Sequence, residues 1–369
     1  MSTSADAAVS DEAARELLVD LVDVPSPTGE ERECAERLVA FFEERGREAW
    51  LDEVGNVRAP ADDSVLLTSH IDTVPGDIPV RVEETEDDDG NPTEELWGRG
   101  SVDAKGPLAA MAAAAVETGV SFVGVVGEET DSRGARFLVE DRDEPDAVVN
   151  GEPSGWDGLT LGYRGFLAGE YAVTTDSGHT SRPDANAIQQ AMRWWQAVED
   201  AFAEGGDDES EAGDDADETP VFEQVTVKPV EFAGGTAADG LSVEANVEAQ
   251  FRIPPGETAA GIRETVEAEL AAGDIEWAEP IPPVMETPRS EVARAFRAAI
   301  RRVGGDPRLL RKTGTSDMNL YAGAWDCPMA TYGPGDSDLD HAPNERLDLG
   351  GFDRAVDVLT AVSEDLADA

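Results

Sequence analysis

The chain has 369 residues, with 80 Asp and Glu against 28 Lys and Arg, for a formal net charge of −52 at pH 7. That balance excludes a nucleic-acid binder of the ordinary basic kind and argues against docking on an anionic membrane, since both need clustered cations. No apolar run approaches the roughly 18 residues of a membrane span, and the two cysteines, Cys34 and Cys327, are too few for a disulfide framework.

Only three of the cations are lysine, and the acids are spread along the whole chain. Self-repulsion of such a surface is relieved by molar salt, so a halophilic cytoplasm is the simplest environment. The N-terminal stretch lacks the basic and apolar regions of a secretory signal, which also reads as cytoplasmic.

In chain order, an amphipathic helix is predicted over about residues 11–22. The turn Pro25-Ser26-Pro27-Thr28-Gly29 follows, then a second helix from about residue 30 that Gly46 can end. Val65-Leu66-Leu67 reads as a buried strand running into Ser69-His70-Ile71-Asp72. Residues 83–95 read as an acidic loop, 106–118 as an alanine-rich helix and 120–126 as a second buried strand. A third, Ala147-Val148-Val149, ends at Gly151-Glu152-Pro153. Short apolar strands alternating with helices predict an α/β fold, a mixed and largely parallel sheet flanked by helices, with ligands gathered at the strand C-termini.

From about residue 161 the texture changes. Alternating strands at 162–173, 223–232 and 241–253 flank helices at about 184–203 and 257–272, an α+β pattern that reads as a domain inserted into the first. Residues 205–218 carry eight carboxylates and read as a solvated loop, and Pro280-Ile281-Pro282-Pro283 as the return linker. The expected organisation is a discontinuous domain of residues 1–164 and 283–369, with residues 165–282 inserted.

Carboxylate pairs carry little information here, because about 17 adjacent acidic pairs are expected by chance at this composition. Position is what singles out Glu128-Glu129, directly after a buried strand and Gly127. Histidine is informative because there are three: His70, His179 and His341. Together, His70, Asp103, Glu129, Glu152 and His341 can form a site for two divalent ions if one carboxylate bridges. Residues i and i+2 of an extended chain point the same way, so Asp72 can accept a hydrogen bond from the second nitrogen of His70. Glu128, not needed as a ligand, is free to take a proton from an attacking water. That is the chemistry of amide hydrolysis. At this level, hydrogen-bonded structural histidines remain the plain alternative.

The same residues carry a family resemblance. Thr68-Ser69-His70-Ile71-Asp72-Thr73-Val74-Pro75-Gly76, Trp97-Gly98-Arg99-Gly100-Ser101-Val102-Asp103-Ala104-Lys105-Gly106, Gly127-Glu128-Glu129-Thr130-Asp131-Ser132-Arg133-Gly134 and Gly151-Glu152-Pro153 resemble the successive motifs of the M20 co-catalytic zinc metallopeptidases. The resemblance implies His70 and Glu152 on one ion, Glu129 and His341 on the other, and Asp103 bridging, with zinc or cobalt as the metal. It further implies Glu128 as general acid/base, Asp72 orienting His70, and a peptide bond after Asp103 that is often cis. The inserted segment resembles the family's lid or dimerisation domain, which implies a homodimer in which His179 reaches across to stabilise the oxyanion, while Asn186 and Arg252 help hold a substrate carboxylate.

Arg311-Lys312-Thr313-Gly314-Thr315-Ser316-Asp317-Met318-Asn319 is similar to one branch of that family: hydrolases that release lysine or ornithine from the C-terminal glutamate side chain of an amino-group carrier protein. This implies Lys312, Thr315, Ser316 and Asp317 as substrate contacts, the carrier protein as partner, and the last step of lysine or arginine biosynthesis as the role. An acidic residue such as Asp317 suits a cationic product side chain. Lys312 could equally bind a substrate carboxylate, which keeps open an acetylornithine deacetylase, a succinyl-diaminopimelate desuccinylase and, further off, a dipeptidase or carboxypeptidase. A metal-stabilised binding protein without activity would have lost the base or a ligand, and this chain keeps Glu128 and all five ligands.

Overall fold

Apolar spacing sets the first elements of the computed structural model, which describes residues 9–86, 92–179, 181–203, 220–238 and 240–368. Helix α1 (Asp11–Asp23) buries Leu17, Leu18, Leu21 and Val22 on one face, and its N-cap Ser10 accepts a bond from the Ala13 N–H at 3.2 Å. Helix α2 (Arg32–Glu44) buries Cys34, Leu38, Phe41 and Phe42 at the same period. Two short strands, β1 (Trp50–Leu51) and β2 (Val57–Ala59), precede β3 (Asp62–His70), whose last six residues are all buried. After β4 (Arg81–Glu86) and β5 (Pro92–Trp97) comes α3 (Lys105–Thr118), buried all round from Lys105 to Val116, as a helix at the centre of a core must be. Gly119 ends it in the left-handed conformation at φ 73°. Strand β6 (Val120–Val125), α4 (Arg133–Asp141), β7 (Val148–Gly151) and β8 (Gly158–Tyr163) complete this stretch.

The chain then continues through β9 (Gly165–Asp176), α5 (Ala187–Ala203), a 3₁₀ turn at Val221–Glu223, β10 (Thr226–Thr236), β11 (Ser242–Ile253), α6 (Ala259–Ala268), β12 (Asp274–Trp277) and β13 (Val284–Met285). It closes with α7 (Glu291–Arg302), β14 (Arg308–Lys312), α8 (Asp317–Ala324), β15 (Met329–Thr331), β16 (Arg346–Asp348) and α9 (Leu349–Ala367).

Described residues within Met1–Gly162, Glu286–Arg311 and Ser316–Ala369 form one compact unit; those within Tyr163–Met285 and Lys312–Thr315 form a second. The first unit is a mixed α/β layer structure with strand order β1-β2-β6-β3-β7-β15-β8. The centre of that sheet, β6-β3-β7-β15, is parallel throughout, while β2 and β8 join it antiparallel. Helices α1, α2, α3, α7 and α9 contribute to one continuous apolar core with the sheet. In the second unit an antiparallel sheet, β10-β11-β9-β12, carries α5 and α6, with Trp194 stacked on Tyr171 at 4.2 Å between ring centres. Cys34 and Cys327 are both buried and form no disulfide. No helix among the described residues is long and apolar enough to cross a membrane.

Two expectations need correction. Residues 83–95 are not simply a loop: β4 and β5 pair antiparallel from Arg81 opposite Trp97 to Glu86 opposite Pro92, and β16 joins on the far side of β5. Charge masked the strand signal, because this small sheet is held by arginines over an aromatic ring, Arg81 at 4.2 Å and Arg346 at 5.1 Å from the Trp97 centre, and by the Arg346–Glu95 ion pair at 3.1 Å. The expected strand at 162–173 is two strands, β8 and β9, broken at Arg164. The Arg164 N–H bonds the Lys312 carbonyl, and its guanidinium donates to the carbonyls of Thr313, Val221 and Gln224. The expected acidic loop at 205–218 lies outside the described residues.

Candidate active site

Sheet register delivers the site. His70 in β3 stands level with Val125 in β6, and Ser69 with Gly151 in β7, so three neighbouring parallel strands end at one height. His70 to Asp72, Glu128-Glu129 and Glu152 leave those ends side by side, as ligand-binding groups do in parallel sheets. Asp103 arrives on the turn just ahead of α3, and His341 on the loop after β15. The Asp103–Ala104 peptide bond is cis.

Asp103 turns one oxygen toward each histidine: Oδ1 lies 3.0 Å from His70 Nε2, and Oδ2 lies 3.2 Å from His341 Nε2. His341 Nε2 is also 3.0 Å from Glu129 Oε2, and His70 Nε2 is 4.0 Å from Glu152 Oε2. Ligand atoms of His70, Asp103 and Glu129 all fall within 4.8 Å of one another. His70 is buried, and its Nδ1 lies 2.9 Å from the Asp72 carbonyl, so in the neutral ring Nδ1 donates and Nε2 carries the lone pair. That lone pair faces a carboxylate oxygen. Two acceptors at this distance need a proton or a cation between them, and this is the donor set of a divalent metal site.

The electrostatics say the same thing. Burial alone would raise the Asp103 carboxyl, but hydrogen bonds from His341 and His70 hold it well below the usual range. His341 is raised to about 9, first by its hydrogen bond to Asp103 and then by the Glu129 charge. Burial opposes protonation of His70, yet its hydrogen bond to Asp103 and the nearby carboxylates of Asp72 and Glu152 raise it well above the ordinary value. Glu128 is pushed well above the carboxylate range by burial and then by the charge of Glu152, Glu129 is raised chiefly by burial, and Asp317 is raised to about 7 by burial in the same neighbourhood. Carboxylates pushed up beside imidazoles pushed up mark a pocket short of positive charge.

Asp72 departs from the expected geometry. Its carbonyl, rather than its carboxylate, meets His70; the carboxylate stands 3.6 Å away, beyond hydrogen-bond reach. It is engaged instead by Thr28 Oγ1 at 2.7 Å and by the N–H groups of Glu128 and Glu129, each at 3.1 Å. Asp72 therefore locks the Glu128-Glu129 turn to the end of β3. Thr28 went unrecognised from sequence: its Pro-rich turn was legible, and Pro27 bridges Thr73, but nothing local tied that turn to a strand 44 residues later.

The remaining candidates divide between the units. Ser316 and Asp317 stand in the first, where Ser316 heads α8 with its N–H bonded to Asn319 Oδ1 at 2.9 Å, and Asp317 is 2% exposed. Asp317 is thus a neighbour of Glu128, whose acidity it perturbs, rather than a surface residue. In the second unit, exposed His179 has Nδ1 2.8 Å from Ser181 Oγ and accepts the Ser181 N–H at 3.2 Å. Asn186 caps α5 by accepting the Gln189 N–H at 3.0 Å, and Arg252 lies over the Phe166 ring at 4.8 Å with one buried terminal nitrogen that has no hydrogen-bond partner among the described residues. Lys312 and Thr315 belong to the short segment held to Arg164 through the Thr313 carbonyl.

The sequence model for peptidase family M20/M25/M40 matches residues 66–365, a span that contains all five candidate metal ligands. The chain belongs to this family. A protein from Deinococcus radiodurans named [LysW]-lysine hydrolase is 41% identical over 95% of this chain and 96% of its own length. A [LysW]-lysine/[LysW]-ornithine hydrolase of Sulfurisphaera tokodaii is 30% identical over 91% of this chain and 90% of its own. Among solved structures, the M20 metallo-carboxypeptidase Sso-CP2 from Sulfolobus solfataricus superposes with a TM-score of 0.74 at 19% identity, over 96% of this chain and 99% of that one. A Bacillus subtilis M20 protein described as a dinuclear metal-binding peptidase has a TM-score of 0.66 at 15% identity, over 96% of this chain and 97% of that one. The fold is that of the M20 peptidases, and the chain is a metal-dependent hydrolase of amide bonds.

Proposed function

We propose that this M20 hydrolase releases lysine or ornithine from an amino-group carrier protein by cleaving the amide between the amino acid's α-amino group and the side-chain carboxyl of the carrier's C-terminal glutamate. The observation that carries the substrate is the near full-length similarity to the [LysW]-lysine hydrolase, at 41% identity. In this reading His70 and Glu152 hold one divalent ion, Glu129 and His341 the other, and Asp103 bridges; the two oxygens that Asp103 presents to the two histidines support that assignment. Two such ions, when bound, would supply Lewis acidity toward the amide carbonyl and a nucleophilic water near neutral pH.

The chain's own groups do the rest. Glu128, raised by burial and by Glu152, takes the proton of the attacking water and passes it to the leaving amine. Asp72 holds the Glu128-Glu129 backbone in place through both amides. His179, whose Nδ1 accepts the Ser181 N–H, carries its proton on Nε2 in the neutral ring and is equipped to donate to an oxyanion, reaching a partner subunit's site if the second unit acts as the lid and dimerisation domain. The family resemblance assigns Asn186 and Arg252, whose buried terminal nitrogen has no hydrogen-bond partner among the described residues, to a substrate carboxylate, and Lys312, Thr315, Ser316 and Asp317 to the amino-acid end.

The test compares kcat/KM for carrier protein bearing glutamyl-linked lysine or ornithine with that for free N-acetylornithine, in molar KCl with zinc or cobalt added. A carrier preference of a hundredfold or more is expected. Equal or better turnover of acetylornithine would leave the metal site standing and overturn the carrier assignment.

A further inference from the structure

Glu345 is 0% exposed in a chain whose carboxylates mostly face water, and no motif reading singled it out. Both of its oxygens are saturated. Oε1 accepts the N–H groups of Val102 at 2.9 Å and Asp103 at 3.1 Å; Oε2 accepts the Gly100 N–H at 3.1 Å and Arg99 Nη1 at 2.7 Å. The Gly98 N–H reaches the Glu345 carbonyl at 3.4 Å, so the whole turn ahead of α3 is gathered around one residue. Three backbone donors and a guanidinium converging on a carboxylate form an anion nest with the acceptor capacity filled.

The segment that carries Glu345 also carries His341, four residues earlier, whose backbone is held in the left-handed region at φ 58°. Both act on Asp103, from opposite ends of the residue: His341 meets the carboxylate at 3.2 Å, and Glu345 holds the amide N–H at 3.1 Å. That turn is not part of any helix or strand, so periodic backbone bonding does not set the direction of the Asp103 side chain. Glu345 supplies what the periodic bonding does not.

We infer that Glu345 is the positioning residue of the bridging ligand: by clamping the 99–103 backbone to the His341 segment, it sets the aim of Asp103 and thereby the capacity of the site to hold two ions together. This rests on the two-ion reading above. Glu345→Gln places an NH₂ group where an oxygen accepts N–H donors, and so disrupts the clamp with little change of volume.

The measurement is a cobalt titration of the full-length, metal-stripped protein by calorimetry, with the spin coupling of the bound cobalt followed by electron paramagnetic resonance. Folding of the variant is checked by circular dichroism. Wild type is expected to bind two coupled ions; in the folded variant the weaker ion should lose about tenfold to a hundredfold in affinity and the coupling should diminish. At limiting metal, kcat should fall while KM for substrate holds. A folded variant that binds two ions with unchanged affinity and unchanged coupling would make Glu345 a purely structural residue and overturn the inference. Wild type binding fewer than two ions would overturn the two-ion reading itself, whereas failure of wild type to process carrier-borne substrate would touch only the substrate assignment. Should Glu345→Gln not fold, Glu345→Asp carries the same measurement, because its shorter carboxylate keeps the charge but cannot reach Gly100 and Asp103 at once.

Discussion

Metal binding by this protein should be a proton exchange, and the expected size follows from His341. Its hydrogen bond to Asp103 and the charge of Glu129 raise it to about 9, so near pH 7 the metal-free ring is protonated; His70 is shifted in the same direction. Each ion must displace a proton from the Nε2 it binds. Two pH units below a pKa of about 9 correspond to about a hundredfold loss of apparent affinity, and because the His341 side chain is 52% exposed, solvent screening trims this toward tenfold. For the metal-free chain the sign is opposite. A folded pKa above the unfolded 6.5 means that protonated His341 stabilises in full below about pH 6.5, and that contribution is lost as pH rises through about 9. Calorimetric titration of zinc into stripped protein, in buffers of differing ionisation enthalpy between about pH 6 and 8, reads the proton release and the affinity. About one proton should leave per imidazole engaged, and affinity should climb up to tenfold per pH unit. Proton release near zero with affinity flat across that range would refute both the charge state and the ligand assignment.

Three further outcomes are expected. Glu128→Gln removes the proton acceptor without removing a proposed ligand, so kcat should drop by about 10²–10⁴ while two ions remain bound; loss of metal together with activity would place Glu128 among the ligands instead. Gly134→Ala, at the start of α4, puts a Cβ 2.4 Å from Asn56 Oδ1 and within 2.6 Å of the Val126 backbone, which cannot yield; thermal unfolding should show a loss of about 1–3 kcal/mol, and an unchanged Tm would show that α4 shifts freely. With a net charge of −52, Tm should rise as KCl is taken from about 0.1 to 2 M, since the Debye length falls from about 10 Å to a few; a flat or falling Tm would mean that self-repulsion is not limiting.

Much of this protein is written locally. Buried strands such as Val65-Leu66-Leu67 and the alanine-rich α3 announce themselves by composition and length, and with them the α/β class, because burial on both faces demands unbroken apolar runs. His70, Glu128-Glu129 and Glu152 could be picked out because each follows such a strand, and with three histidines in the chain two of them stood out as candidate metal ligands. Charge hid other features: the strands β4 and β5 are stabilised by Arg–Trp and Arg–Glu contacts that have no apolar period to detect.

What the sequence determined by itself was the buried apolar strands of the central sheet, the chemistry of the groups at their ends and the acidic composition, all of which depend on residue type and short-range spacing. Only the tertiary structure decided that Thr28 and two backbone amides, rather than His70, take the Asp72 carboxylate, that Asp317 is buried beside Glu128, and that Glu345 clamps the turn bearing Asp103. Each of these joins residues far apart in the chain, 242 positions in the case of Glu345 and Asp103. A carboxylate's partner is whichever donor the packed core brings within 3 Å or so, and no local pattern encodes that distance.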